Sequence, residues 1–304
     1  MSSISVITVN YHQNQATKEL LESLNKYYAL ANIEIILVDN GCKTDNEHYF
    51  KQYCKDIKYI RSEANLGFAG GNNLGIAEAS GKYLFLINND TEVTPGLIEQ
   101  LAGSLDANGR IGIISPQINY HDDPSIIQYA GFTPMNYYTC RNFCIGQFEK
   151  DENQYRGQLK PTGFIHGAAM MVRKEALLKA GPMAENFFLY YEEMDWCERI
   201  KEAGYEIWLD TNAIIYHKES LAVGKNSALK EFFMNRNRIL FIRRNAKLHQ
   251  RLFFYLYFAA FVMPRNILKY VKGQSAGFTR VLLSAVFWNI THAKDSTDLG
   301  YPLK

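Results

Sequence analysis

The feature that most constrains the fold is the alternation of short apolar runs with helix-like segments over residues 4–90. The runs ISVITV, IEIILVDNG and KYLFLINND have the length and composition of buried strands that end in polar residues. Helix-like segments such as TKELLESLNKYY lie between them. Strands that alternate with helices at this spacing form parallel sheets with crossover helices. We therefore predict an α/β domain of nucleotide-binding type.

The rest of the chain continues this pattern and then becomes helical. One helix is predicted to begin with Thr94 and Pro95 as cap and first-turn residues. The weak periodicity of residues 119–160 predicts long loops or a small antiparallel insert. The remaining predicted elements are a strand in IGIISPQI, a strand and helix in IHGAAMMVRKEALLKAG, a helix in MDWCERIKEAG, a strand pair in EIWLDTNAIIYH, and helices from Ser227 onward. We divide the chain into an α/β domain at residues 1–225 and a helical region at residues 226–304.

Size and composition limit the protein class. A chain of 304 residues, 47% of them hydrophobic, can bury a large core. The five cysteines form no Cys-x2-Cys pair, which favours reduced thiols over a structural zinc site. No leader-like segment begins the sequence, so we expect a cytosolic protein. The apolar run LFFYLYFAAFVM has 12 residues, and a membrane span needs about 20.

The net charge of +2 hides an asymmetry. Residues 225–294 contain 13 lysines and arginines and one acid, so this segment carries +12 and the rest of the chain −10. A basic segment rich in aromatic residues is typical of contact with an anionic partner, either nucleic acid or lipid headgroups. Helices that pack on the α/β domain or on a second subunit are an equally good interpretation. The candidate partners of this segment are therefore an anionic membrane surface and a second copy of the chain, and nucleic acid is disfavoured.

Polar side chains follow three of the predicted strands. The first strand ends at Val9, Asn10 and Tyr11, the second at Asp39 and Asn40, and another at Asn88 to Asp90. In parallel sheets, ligands bind beyond the carboxyl ends of the strands. We therefore expect these side chains to meet at one edge of the sheet and to form a ligand site there.

Two motifs near this edge have both a structural and a functional interpretation. Asp90 could cap a turn, or it could be one of the few protein oxygens that Mg²⁺ or Mn²⁺ needs beside a bound diphosphate. The segment NLGFAGGNN (residues 65–73) could be a plain tight turn, or its backbone N–H groups could bind a phosphate. It matches neither a P-loop nor a dinucleotide fingerprint.

Acidic residues and a histidine downstream add to the candidate site. Glu192, Glu193 and Asp195 follow an aromatic run, where they could compensate a helix dipole. A partly desolvated carboxylate among aromatic rings is also more basic and suits proton removal from an alcohol. His217 ends a strand, and it is either structural or a neutral ligand of Mn²⁺.

Taken together and in order, seven motifs resemble the family 2 glycosyltransferases, in their bacterial rhamnosyltransferase-like branch. They are VITVNYH, VDNG, NLGFAGGNN, LINNDTEV, IHGAAMMVRKEAL, FFLYYEEMDWCERI and IIYHKES, and the resemblance extends over residues 4–245. It implies a GT-A fold, inverting transfer of a sugar from a nucleotide-activated donor, and a divalent cofactor, Mn²⁺ or Mg²⁺.

The resemblance also assigns roles to residues of this chain. Asp90 and His217 would hold the metal, and Glu193 would be the catalytic base, with Asp195 as runner-up or acceptor contact. Asn88 replaces an Asp that many relatives have, and it would lie near the ribose or a metal-bound water. The implied nucleotide contacts are Val9, Asn10, Tyr11, Asp39, Asn65, Gly67, Gly71, Asn72, Asn88 and Asn89. The implied acceptor or sugar contacts are His166, Gly167, Ala168, Glu192 and Trp196.

The resemblance leaves several activities open. L-rhamnose from dTDP-rhamnose is the first expectation for the donor, followed by UDP-linked hexoses and galactofuranose. The expected acceptor is a hydroxyl of a cell-surface polysaccharide or of a polyprenyl-linked glycan, reached at the inner face of the cytoplasmic membrane. A sugar-1-phosphate nucleotidylyltransferase is disfavoured, because NYHQNQAT after the first strand contains no glycine. The non-enzymatic alternative is a membrane-surface or nucleic-acid-binding protein built around the basic C-terminal segment.

Overall fold

The computed structural model describes residues 3–28, 33–218, 227–273 and 277–303. These residues form one mixed sheet of ten strands with helices packed on both faces. The predicted α/β class is therefore confirmed. The predicted domain boundary between residues 225 and 226 lies outside the described residues, as do Glu219 and Ser220 of the IIYHKES motif.

The sheet runs in the order β3-β2-β1-β4-β9-β6-β10-β5, with β7 paired to β6 and β8 to β10. The strands are β1 (Ile4–Asn10), β2 (Glu34–Asn40), β3 (Lys58–Ser62), β4 (Tyr83–Ile87), β5 (Thr91–Val93), β6 (Ile111–Tyr120), β7 (Ile127–Tyr129), β8 (Leu159–Pro161), β9 (Ala169–Arg173) and β10 (Glu206–His217). Strands β1 to β4 are parallel, as predicted.

Strand β9 departs from the parallel prediction. It runs antiparallel to both β4 and β6, and its first residue, Ala169, pairs with Ile87 at the end of β4. No crossover helix carries the chain back before β9, because residues 121–168 consist mainly of loops and short bridges. The chain therefore re-enters the sheet from its carboxyl edge. This long excursion matches the predicted loops and small antiparallel insert.

Two local predictions were wrong. Helix α4 begins at Leu97 after Gly96, whose φ is 74°, and not at Thr94 and Pro95. The Thr94 hydroxyl donates to the carbonyl oxygen of Ile214 at 2.6 Å, so it joins the helix start to β10 and does not cap it. The expected strand pair over residues 206–217 is one strand, β10, with an irregular register beside β6 between Asp210 and Ile214.

The helices are α1 (Asn14–Tyr27), α2 (Glu47–Lys51), α3 (Gly67–Glu78), α4 (Leu97–Ala107), α5 (Lys174–Ala180), α6 (Glu192–Glu202), α7 (Ala228–Asn245), α8 (Leu248–Tyr257), α9 (Met263–Lys272) and α10 (Gly277–Thr291). A 3-10 turn, Glu185–Phe187, precedes α6, and a π-helical turn, Phe258–Val262, joins α8 to α9. Ser227 caps α7 by accepting from the Lys230 backbone N–H at 3.1 Å, so the C-terminal region is helical as predicted. In the ranges that the structure describes, each helix is too short or too polar to cross a bilayer.

The core has one layer on each face of the sheet. Alternation along β1 sends Val6 into the layer that contains Leu20 of α1, and Ile7 into the opposite layer. The second layer also contains Phe241 of α7 and Trp288 of α10. The C-terminal helices therefore share the core of the α/β domain, as the packing interpretation expected.

Candidate active site

A cavity of about 410 Å³ lies at the carboxyl edge of the parallel strands. Of the residues expected at the nucleotide and metal sites, those that line it are Val9, Tyr11, Asn65, Gly67, Asn88, Asn89 and Asp90. The strand ends thus meet as the sequence predicts. Asn40, at the end of the second strand, and Phe68, in the glycine-rich segment, also line it. The lining residues that were not expected are Gln13, Phe188, Leu189, Ser227 and Leu229.

Asp90 forms a buried pair with His217 at this edge. The Asp90 Oδ1 atom lies 3.2 Å from His217 Nε2, and both side chains are almost fully buried. On its other side, His217 Nδ1 lies 2.8 Å from Gln128 Oε1. An amide oxygen accepts, so this contact places a proton on Nδ1 and turns Nε2 towards Asp90.

This pair fits a divalent cation. Asp90 Oδ1 is buried without a hydrogen-bond partner among the described residues, and it faces His217 Nε2. Two facing lone pairs are unfavourable unless a proton or a cation lies between them. Carboxylate oxygen and imidazole nitrogen are both ligands of Mn²⁺. No cluster of three or more acidic, histidine or cysteine side chains suited to a metal occurs in the described residues, so Asp90 and His217 would need further ligands from a bound diphosphate.

Asp39 and Asn10 lie behind the cavity and do not line it. Both are fully or almost fully buried, and the Asp39 carboxylate accepts from Asn10 Nδ2 at 2.9 Å. It also accepts from Asn46 Nδ2 at 2.8 Å and from the Tyr59 hydroxyl at 2.6 Å. The pKa of Tyr59 is raised by burial and by this hydrogen bond. The expected direct contact of Asp39 with a nucleotide is not formed by this conformation, in which Asp39 instead fixes the ends of β1 to β3.

The glycine-rich segment is a helix and not a turn. Helix α3 begins at Gly67, and Gly71 lies inside it with a hypothetical Cβ 2.9 Å from Val9 Cγ1. Gly71 therefore allows α3 to pack against β1. Asn72 is buried and donates to its own helix at the carbonyl of Phe68. These contacts place Gly71 and Asn72 in helix packing, away from the cavity lining.

The backbone N–H groups at the start of α3 already have protein partners. The N–H of Leu66 donates to Asn40 Oδ1 at 2.9 Å, that of Gly67 to Asn65 Oδ1 at 2.9 Å, and that of Phe68 to the Phe188 carbonyl at 2.8 Å. These three donors are therefore not free for a phosphate, contrary to the phosphate-binding interpretation of this segment.

Gly67 is the point at which the segment before α6 meets the sheet edge. Its φ is 70°, and a Cβ at this position would lie 2.2 Å from the carbonyl oxygen of Phe188. Any larger residue would push Phe188 away. The aromatic run before the acids thus reaches the cavity at the sheet edge.

The segment that leads into α6 has an unusual backbone. Phe188, Tyr190 and Tyr191 have φ values of 63°, 72° and 74°, a region that such residues rarely adopt. The side-chain amide of buried Asn237 lies 2.8 Å from three carbonyl oxygens of this segment, those of Phe187, Leu189 and Tyr190. Helix α7 therefore holds the strained segment in place.

Glu192 and Glu193 begin α6 directly after this segment. Burial raises the pKa of Glu193 to about 7, although the backbone N–H groups of Glu193 and Met194 oppose the shift. Burial and the neighbouring Glu193 raise the pKa of Glu192 well above its usual range. Each residue has a buried carboxylate oxygen with no hydrogen-bond partner among the described residues. A carboxylate with a pKa near neutrality suits a general base.

Asp195 and Trp196 have structural roles. Asp195 is buried and accepts from Arg199 Nε at 3.0 Å, from Arg244 Nε at 2.8 Å and from Asn245 Nδ2 at 3.1 Å. Both oxygens of the Asp195 carboxylate are occupied by these guanidinium and amide donors, so the runner-up assignment is not supported by this geometry. Trp196 is fully buried, and its ring N–H donates to the Gly181 carbonyl at 2.8 Å. The expected contact of Trp196 with acceptor or sugar is therefore not made.

His166, Gly167 and Ala168 lie beside the Asp90–His217 pair. The rings of His166 and His217 are 5.9 Å apart, and burial lowers the pKa of His166 to about 3, so His166 is neutral. Its Nδ1 accepts from the Ala168 N–H at 3.1 Å, and the Ala168 carbonyl accepts from the Asn88 N–H at 2.9 Å. A Cβ on Gly167 would lie 3.6 Å from the ring of Phe68. His166 and Gly167 thus remain candidates for a sugar contact.

Two residues that the sequence interpretation missed support this site from outside the motifs. Gln128 orients His217 from a position 89 residues away, and no motif marks it. Asn237 belongs to the segment FFMNRNRILFIRR, which was included in the range of the family resemblance but was given no role at the site. Asn40, by contrast, directly follows Asp39 at a strand end and carried the same signal as its neighbour.

Comparison with known proteins shows which proteins this chain resembles. Residues 5–181 match the family described as Glycosyl transferase family 2. The low-salt glycan biosynthesis hexosyltransferase Agl10 of Haloferax volcanii is 28% identical over 213 residues, which are 68% of this chain and 64% of that protein. The N-acetylglucosaminyl-diphospho-decaprenol L-rhamnosyltransferase of Mycobacterium tuberculosis is 23% identical over 236 residues, 71% of this chain and 76% of that protein.

Solved structures share the fold at low identity. TarS 1–349 of S. aureus has a TM-score of 0.59 and 15% identity, over 95% of this chain and 81% of that one. The mannosyltransferase PcManGT of Pyrobaculum calidifontis, solved with GDP-Man and Mn²⁺, has a TM-score of 0.58 and 12% identity, over 95% of this chain and 87% of that one. These neighbours are GT-A glycosyltransferases, and the predicted GT-A fold is confirmed.

Proposed function

Since the chain belongs to glycosyl transferase family 2, we propose that it transfers a sugar from a nucleotide-activated donor to a glycan hydroxyl, with inversion at the anomeric carbon. The observation that carries this proposal is one cavity that meets the buried Asp90–His217 pair on one side and the segment before Glu193 on the other. The first donor to test is dTDP-rhamnose, followed by UDP-hexoses and UDP-galactofuranose.

The donor would bind at the strand ends. Val9 and Tyr11 offer an apolar and an aromatic surface for the base, and the polar side chains Asn65 and Asn88 face the same cavity. The diphosphate would lie beside Asp90 and His217, the two residues that would hold Mn²⁺ or Mg²⁺. When bound, the cation would supply positive charge to the departing diphosphate. Because Asn88 is neutral, that charge would be shared mainly by Asp90, His217 and the diphosphate.

The acid pair would act on the acceptor. The Glu193 carboxylate takes the proton of the acceptor hydroxyl, and that oxygen forms a bond to the anomeric carbon. On the opposite face, the bond between the anomeric carbon and the diphosphate oxygen breaks, and the nucleoside diphosphate leaves with both electrons of that bond. One displacement inverts the centre and needs no covalent enzyme intermediate. Glu192, whose pKa is raised further, would stay protonated beside Glu193.

We also propose that the C-terminal helices rest on an anionic membrane surface at the inner face of the cytoplasmic membrane. Exposed apolar residues recur at helical spacing on α8 (Leu248, Leu252 and Leu256) and on α10 (Leu283, Phe287 and Ile290). The lysines and arginines of the same region complement anionic headgroups. This surface would bring the site to a polyprenyl-linked glycan acceptor.

A nucleotide-release assay tests the activity. Purified protein is incubated with the donor panel and with polyprenyl-linked glycan acceptors, with and without Mn²⁺, and Asp90→Ala serves as the inactive control. We expect release from one donor class, strongly reduced by chelator and by Asp90→Ala. Release that chelator leaves unchanged would reject the metal, and no release from any donor would reject the proposed activity.

Vesicle flotation tests the membrane surface. The full chain should float with vesicles that contain phosphatidylglycerol and less with phosphatidylcholine alone. Leu256→Asp should reduce flotation, because Leu256 is 73% exposed on α8. Leu178→Asp is the matched control, since Leu178 is 74% exposed on α5 of the α/β domain. Equal loss in both variants, or no flotation of the wild type, would reject the surface.

A further inference from the structure

A second cavity, of about 310 Å³, adjoins the first. Ser227 lines both cavities, and Tyr191, which lines the second, directly precedes Glu192. Helices α7 and α9 form its walls, and three cationic side chains line it: Lys230, Arg238 and Lys269. We call this cavity the cationic pocket. It lies on the acid side of the active site.

The positive charge of the cationic pocket is not neutralised by an ion pair. Among the residues that the structure describes, no carboxylate forms a salt bridge with Lys230, Arg238 or Lys269. The pocket contains one acid, Glu231, whose carboxylate already accepts from the Tyr270 hydroxyl and from Asn235 Nδ2. The pocket therefore has an excess of positive charge that suits a multiply charged anion.

The guanidinium of Arg238 is held in position. It donates to the carbonyl oxygen of Thr139 at 2.6 Å and lies 5.9 Å from the ring of Phe254. Its Nε atom is buried and has no hydrogen-bond partner among the described residues. A planar guanidinium fixed in this way is suited to phosphate recognition. Lys230 and Lys269 add point charges from α7 and α9.

Exposed apolar residues of α9 lie next to the pocket residue Lys269. Lys269, which forms part of the pocket wall, is exposed on α9 between Leu268 and Val271, two residues that are also exposed along this helix. The chemical groups thus follow one another in this order: carboxylates, then cations, then exposed hydrocarbon.

From this order we propose that the cationic pocket binds the diphosphate of a lipid-linked acceptor, whose sugar hydroxyl lies at Glu193 and whose hydrocarbon lies on the C-terminal helices. The inference rests on the proposed function and names the class of its acceptor. The sugar, the diphosphate and the hydrocarbon of such an acceptor match, in this order, the acids, the cationic pocket and the exposed apolar residues. Binding of the diphosphate would place the acceptor sugar without any contact to the donor.

Calorimetry with farnesyl diphosphate and farnesol tests the pocket on the full chain. We expect Lys230→Gln and Arg238→Gln each to weaken farnesyl diphosphate binding about tenfold, the effect of losing one charged hydrogen bond. Farnesol binding should be unchanged in both. Arg238→Lys should recover part of the loss, and Lys272→Gln, at an exposed position at the end of α9, is the matched control. Equal affinity in all variants would overturn the proposal.

Four further measurements separate the explanations. Thermal unfolding and binding of UDP or dTDP confirm that each variant is folded, and Lys269→Gln replaces any that is not. If the variants lose flotation with phosphatidylglycerol vesicles but keep farnesyl diphosphate affinity, the pocket binds headgroups, and the proposal is wrong. If pocket-dependent binding is found but no donor is turned over, the proposed function fails while the pocket stands. If a donor is turned over but binding of farnesyl diphosphate does not depend on the pocket, the proposed function stands and the pocket proposal is wrong.

Discussion

The two sides of the active-site cavity are built by different means. The donor side consists of the ends of β1, β2 and β4 with the start of α3, and neutral amide side chains such as Asn40 and Asn65 hold it together. The acid side consists of residues 185–193, where the backbone is strained and two carboxyl pKa values are raised. The strand ends of the first side all lie within residues 4–90, although the Asp90–His217 pair beside them also needs β10 and Gln128. The second side depends on α7, about 50 residues further along the chain.

The difference shows where this protein stores strain. Left-handed residues and buried carboxylates each cost free energy, so they persist only where other contacts hold them. On the acid side those contacts come from Asn237 and from Arg236, which donates to the Asn186 carbonyl. The C-terminal helices therefore support the acid side and are not an appendage to the α/β domain.

The largest expected effect separates the two acids. Glu193→Gln should lower kcat about 10³-fold, since a general base contributes 10²- to 10⁴-fold. Glu192→Gln should lower it only several-fold, because Glu192 stays protonated and a neutral amide resembles a neutral carboxylic acid. Steady-state kinetics on both variants make the comparison. Equal losses would mean that the pair acts as a unit or that the base lies elsewhere.

The pH profile is a second readout of Glu193. Its pKa is raised to about 7, so the active carboxylate form is lost as the pH falls below 7, and kcat/KM should fall about tenfold per pH unit there. Stability should move the other way. A folded-state pKa above the unfolded value of 4.5 means that the folded state binds more protons, so stability decreases as the pH rises from 4.5 to 7. A profile without an acidic limb near pH 7 would contradict the assignment.

Gly67→Ala should break the junction between the two sides. The new Cβ would meet the Phe188 carbonyl oxygen at 2.2 Å in a backbone with φ of 70°, at an expected cost of about 3 kcal/mol in stability. Gly103→Ala in α4 is the matched control, because nothing lies within 4 Å of its Cβ. That substitution should stabilise by up to about 1 kcal/mol. Denaturant unfolding measures both, and similar values for the two would contradict the junction.

Asn237→Asp should loosen the acid side, residues 185–193, and leave the donor side unchanged. The carboxylate keeps the shape of the amide but removes the donor shared by three carbonyls, at an expected cost of about 2 kcal/mol. We expect kcat to fall about tenfold, the effect of a misplaced base, with little change in donor KM. Asn289→Asp, a buried amide of α10 that contacts Arg236 and Ala285, should lose stability and keep kcat. A parallel rise in donor KM in Asn237→Asp would show that the two sides are not independent.

The smallest expected effect concerns the donor side. Gln128→Leu removes the acceptor at His217 Nδ1 and should weaken Mn²⁺ binding about tenfold. Gln117→Leu changes a buried amide whose partners are Asn119 and Asp151 and should leave Mn²⁺ affinity unchanged. Manganese titration followed by electron paramagnetic resonance gives both affinities without an activity assay. Equal affinities would remove Gln128 from the metal site.

The sequence predicted the donor side better than the acid side. The strand ends at Asn88 to Asp90 were placed correctly because polar residues directly after a buried strand have few alternatives in a parallel sheet. The glycine-rich segment was misinterpreted, since glycine serves helix packing as well as turns, and the sequence does not distinguish the two. Asp195 and Trp196 failed as site residues because an acid or an aromatic ring near a motif does not reveal which side chain it will meet.

What the sequence determined by itself was the α/β class, the edge of the sheet that forms the site, and the family, because these depend on local periodicity and on short motifs. What only the tertiary structure decided was which polar residues face the cavity and which support it from behind. Gln128, Asn237 and Arg238 act through partners 47 to 99 residues away. Such contacts depend on how the chain closes on itself, and no local pattern records that closure.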